Sequence, residues 1–211
     1  MKFPGPAQTG LGTVSPSRAC DHVRMAPNEG SAMTGVAGLA REIEEFVGSA
    51  GWNQPPQLFA LVPTAALLDE QPELAGQLDR ANPLTPVAQE SLPEGDLAEA
   101  LSGIAWPEIV TGCALAQEII VLPPGAESEL LEGAAADEER LRRAAADHPQ
   151  RTEARLVAAI LRDGEGACVM RLRGLGTEPE SAPDDEPVDE IIESPDLAPN
   201  LLEALKRTLM D

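Results

Sequence analysis

Two apolar runs on either side of a glycine-bearing tetrapeptide constrain the fold of this chain more than any other feature. Arg155-Leu-Val-Ala-Ala-Ile-Leu161 and Ala167-Cys-Val-Met-Arg-Leu-Arg173 flank Asp163-Gly164-Glu165-Gly166. Short apolar runs joined by a brief turn containing Gly read as a β-hairpin. A hairpin requires antiparallel pairing, so the sheet over 155–173 is antiparallel or mixed. In the second arm, Cys168, Met170 and Leu172 alternate with Arg171 and Arg173. Successive strand side chains point to opposite faces. One face of this arm is therefore apolar, and the other is solvated or paired with acids.

The remaining elements follow from periodicity and from breakers. Val36, Leu39, Ile43 and Phe46 share one face of a helix that Thr34 caps and Gly48 and Gly51 end. Arg41, Glu42, Glu44 and Glu45 fall mostly off that face. Residues 57–62, bounded by prolines, read as a buried strand. Thr64 caps a short helix ending near Glu70, and residues 75–95 read as a loop. Asp96 with Glu99 resembles a capping box ahead of Leu97, Leu101 and Ile104. Residues 113–122 are mainly apolar on both faces, as expected of a central strand. Residues 126–147 form an Ala-rich helix supported by the pairs Glu138/Arg142 and Glu139/Arg143. Residues 177–193 are acidic and proline-bearing, which predicts a mobile loop. Leu197, Leu201, Leu205 and Leu209 repeat every four residues and give an amphipathic C-terminal helix. A hairpin-containing sheet with helices packed against it belongs to the α+β class.

Length and composition set the frame for function. A chain of 211 residues suits one domain with tails. Residues 1–32 are punctuated by Pro, Gly and Ser and show no period. They read as a disordered tail, or as a segment upstream of a working start at Met33, with one α+β domain over 33–211. Only 2% of residues are aromatic, so the core must be aliphatic. Lys and Arg number 15 against 36 Asp and Glu, a formal net charge of -21. A phosphate backbone or an anionic membrane surface repels such a field, which argues against nucleic acid and membrane partners. A basic protein partner is compatible with it. No run reaches the length of a membrane span, and the first residues lack an apolar signal core.

The search for reactive groups returns little. The histidines are His22 and His148, too few and too far apart for a metal cluster. Cys20, Cys113 and Cys168 are odd in number and widely spaced, unlike a disulfide framework or a C-x-x-C site, and a reducing cytosol suits them. Cys113 and Cys168 lie in apolar strands, where a thiol behaves as a small hydrophobe. Phosphate-binding glycine motifs are missing, and Gly164 and Gly166 belong to a turn. The acidic stretch lacks the spacing of a calcium loop. Neither a cofactor nor a metal is expected.

The segments GWNQPPQLFALVPTAALL, NPLTPVAQE, IAWPEIVTGCALAQEIIVLPP, ARLVAAILRDGEGACVMRLRG and SPDLAPNLLEALKRTL resemble an uncharacterised family of small acidic actinobacterial proteins, over about residues 34–209. The resemblance implies a cytoplasmic α+β protein and transfers no catalytic residue. The expected function is a non-enzymatic, protein-binding adaptor. Leu197, Leu201, Leu205 and Leu209, with Arg171 and Arg173, are the candidate partner surface. The alternative is an enzyme or small-molecule binder, with a pocket between sheet and helices lined by Trp52 and Trp106.

Overall fold

The hairpin forms around its turn. Asp163 Oδ1 accepts a hydrogen bond from the Glu165 amide at 3.0 Å, and Gly164 takes φ +97°, which only glycine adopts without strain. The Leu161 amide donates to the Glu165 carbonyl at 2.9 Å and closes the loop. The computed structural model describes residues 35–90, 92, 95–123, 125, 126, 138–176 and 188–210. The 1–32 tail, most of the 177–193 stretch and Thr34 lie outside them.

In chain order the described elements are α1 (Val36–Gly48), β1 (Gln57–Pro63), α2 (Thr64–Glu70), β2 (Leu84–Ala88), α3 (Leu97–Ser102), β3 (Gly112–Val121), α4 (Glu138–Ala146), β4 (Thr152–Leu161), β5 (Gly166–Gly176), β6 (Val188–Glu193) and α5 (Pro199–Thr208). Short 3-10 turns span Pro72–Gly76 and Pro195–Leu197. The strands form one open sheet in the order β2-β1-β3-β4-β5-β6, and every neighbouring pair is antiparallel. This is the α+β architecture that the hairpin dictates, and β3 is central as its two apolar faces require.

Alternation sorts the core into two layers. Leu58, Ala60, Cys113, Leu115, Leu156, Ala158, Ile160 and Cys168 face one side, where Leu205 of α5, Leu209 just after it and Leu101 of α3 cover them. Phe59, Leu61, Ala114, Ala116, Val157, Ala159 and Val169 face the other, under Val36, Leu39, Ala40, Ile43 and Val47 of α1. Small residues in the middle of β3 and β4 let both helix layers approach closely. Gly112 shows the same economy, since a Cβ there would lie 2.6 Å from the Ile160 carbonyl oxygen.

Several local expectations change. Residues 84–88, read as loop, form β2. Residues 188–193, read as the end of a mobile acidic loop, form the edge strand β6. Thr64 is the first residue of α2, and its hydroxyl meets that of Thr85 at 2.8 Å, so it ties α2 to β2 and does not cap the helix. The capping residue Asp96 does accept from the Glu99 amide, at 2.9 Å.

Candidate functional site

The α1-facing layer turns from apolar to charged at one end. Going back along β4 from Ala159 and Val157, the next residue on this face is Arg155, which is 1% exposed. Past Val169 on β5 come Arg171 and Arg173. Above them α1 places Glu44, which is fully buried. Arg171 grips this carboxylate with two hydrogen bonds, Nε to Oε1 at 2.7 Å and Nη2 to Oε2 at 2.6 Å. Arg155 Nη1 lies 3.4 Å from the same Oε1. This paired, forked geometry is the strong form of an arginine–carboxylate contact. Bonding to Glu44 holds Arg171 above its already high ordinary pKa, so it stays a cation.

Arg155 also lies 3.5 Å from Glu118 and donates to the Gly51 carbonyl. Glu118 in turn accepts the amides of Asn53 and Gln54 at 2.9 and 3.0 Å. The turn after α1 is therefore clamped onto β3 and β4 by charge. Trp52, in that turn, is stacked by two guanidinium groups. Arg155 lies 4.6 Å and Arg173 5.3 Å from its ring centroid, the range of cation–π attraction. Arg173 pairs with Glu153, and Arg155 Nε is buried with no acceptor among the described residues. Beside this cluster a shallow depression of about 310 Å³ is lined by Pro149, Arg151, Thr152, Glu153 and Arg173.

The two tryptophans lie on opposite faces of the sheet. Trp106 packs among the side chains around α5, and its indole N–H donates to Thr208 Oγ1 at 2.9 Å. Trp52 stands on the α1 face with Arg155. They line no common pocket. The leucine stripe of the C-terminal helix is spent on the sheet. Leu205 and Leu209 are buried, while Leu197 and Leu201 are partly buried against the same core. Arg171 and Arg173 do meet acids, as the alternation of β5 implied, but Arg171 turns inward to α1. Of the network, Glu44, Arg155 and Glu118 escaped the sequence reading.

Cys113 and Cys168 are both buried and free. Burial pushes the Cys113 thiol up to about 11, against smaller opposing effects of the Thr208 hydrogen bond and the Arg162 charge. Burial raises Cys168 as well. Neither thiol is poised as a nucleophile. No group of three or more metal-ligating side chains occurs among the described residues. No helix among them is long and apolar enough to cross a membrane.

The two edges of the sheet differ in what they offer a further strand. In an antiparallel pair, backbone groups point alternately toward the partner and away from it. The Gln89 amide donates to the Leu58 carbonyl, so in the register of β2 on β1 residues 84, 86 and 88 point outward. One of these is Pro86, which has no N–H to offer. The Ser194 amide donates to the Cys168 carbonyl, so on β6 Ile191 and Glu193 point outward. Both keep their N–H groups.

Fold and site together define an α+β protein, an open antiparallel sheet with a helix layer on each face. The chain belongs to the PPA1309-like protein family, which it matches over residues 36–210. No curated protein and no solved structure matches it.

Proposed function

We propose that this chain is a non-catalytic, protein-binding adaptor domain that works in the cytoplasm of an actinobacterium. One observation carries the reading. The faces of the central strands are covered by helices, and β6 presents outward backbone donors on a strand without a second neighbour among the described residues. Such an edge, with its N–H groups intact, is a template for pairing with another chain. The opposite edge is blunted, at Pro86. Arg155, which stacks on Trp52, and Arg171 both engage Glu44 and so tie α1 to the sheet, which supports a role for that cluster in stability and not in turnover.

The test is affinity capture with the full chain at low ionic strength, followed by reconstitution of the complex from two purified proteins. A protein that rebinds stoichiometrically supports the reading. If no captured protein rebinds in purified form, the reading fails. Substitutions within the leucine stripe are unsuitable as controls because Leu205 is core.

A further inference from the structure

We infer that β6 receives an extended, cationic segment of a partner protein as a seventh strand of the sheet. This rests on the protein-binding reading above and specifies its surface and the chemistry of its ligand. The first argument is the phase of the hydrogen bonds. Ile191 and Glu193 direct N–H and C=O groups away from β5, and an added strand satisfies them.

The second argument is charge. Three of the six residues of Val188–Glu193 are acidic. Glu190 is exposed, Glu193 pairs with Arg41, and Asp189 accepts the Gly174 amide at 2.9 Å. The chain as a whole carries -21. A second copy laid along β6 would set Asp189, Glu190 and Glu193 against the same acids, which repel. A strand bearing Lys or Arg meets Glu190 and the surrounding negative field instead. The third argument is side-chain chemistry. Ile191 and Ile192 are half-buried, on opposite faces of the strand. A partner that alternates apolar and basic residues would extend the apolar surface of one face while placing its cations beside the acids.

The experiment uses the full chain and a capped peptide, Val-Lys-Val-Lys-Val-Lys-Val, with amide hydrogen exchange and NMR as readouts. The expected result is protection and shift of the Ile191 and Glu193 amides. The same peptide methylated on its backbone nitrogens should bind about tenfold more weakly, the loss expected of two main-chain hydrogen bonds. Glu190→Lys, at an exposed position, should weaken binding with its thermal unfolding unchanged. Equal affinity for the methylated peptide would reduce the contact to charge alone and overturn the inference. So would protection at other sites. Protection of Ile191 and Glu193 without peptide would also overturn it. Dependence on protein concentration would then assign the edge to a second copy, and independence would assign it to the chain's own residues. A purified partner that rebinds and leaves both amides exchanging freely would sink this inference and leave the protein-binding reading standing.

Discussion

Glu44 follows Ala40 by four residues and Val36 by eight, so helical periodicity puts it on the buried stripe of α1. Its acidity argued the other way, and only the arginines of distant strands explain why it is tolerated there. Removing it would leave the buried Arg155 only Glu118 and the Gly51 carbonyl as polar partners and would unclamp Arg171. Breaking one partner of a buried pair costs about 3–5 kcal/mol. We expect Glu44→Ala to lower the free energy of unfolding by that order in urea melts, while Glu45→Ala, on the exposed side of the same helix, changes little. Cys113 gives a second residue-level expectation. Its thiol titrates near 9.0 when unfolded and at about 11 when folded. Below pH 9 both states keep the proton and stability is flat. As pH rises from 9 to 11 the unfolded chain loses the proton first, so stability falls, by roughly 2–3 kcal/mol at most. Urea melts across this window should show the decline, and Cys113→Ala should lessen it, with the part due to the buried Cys168 remaining.

At the level of elements, Arg162 at the end of β4 reaches four carbonyls. Nε donates to Val110 at 2.8 Å, Nη2 lies 3.3 Å from both Trp106 and Pro107, and Nη1 bonds Leu209. One side chain thus joins the hairpin, the segment before β3 and the end of α5. Arg162→Ala should destabilise by about 1 kcal/mol or somewhat more, since the Val110 and Leu209 contacts are partly buried while those to Trp106 and Pro107 are exposed. Exchange of the last turn of α5 should accelerate more than that of α1, which rests on the other face. Elements such as the hairpin, β3 and α5 were legible because their burial is written in period 2 or 3.6 over long runs. Two strands were not. Pro86 suppressed the strand signal of β2, although an edge tolerates proline. Acids did the same for β6, whose Asp-Glu-Ile-Ile-Glu looks like solvent-exposed chain until its pairing with β5 is known. The charged cluster was half legible. Alternation marked the face of Arg171 and Arg173 as solvated or paired with acids, whereas Glu44, the partner of Arg171, is 127 positions away from it and no local pattern connects the two.

For the whole molecule, a net charge of -21 on 211 residues means the fold works against its own repulsion. Physiological salt screens that repulsion between exposed charges more than about 8 Å apart. The melting temperature should therefore rise by a few degrees from low to physiological sodium chloride, and a cationic partner should bind more weakly over the same range. Calorimetric scans at the two salt levels check the first expectation, and a flat response would show that local ion pairs outweigh the overall field. Pro86 has a further consequence for assembly. Head-to-tail growth, with β6 of one molecule adding to β2 of the next, would generate an endless fibre. Pro86 removes one of the three outward N–H groups at the receiving end and so weakens that addition. Should β6 take up a partner strand as proposed, the far side of the enlarged sheet is the poorer template, which disfavours its growth into a fibre.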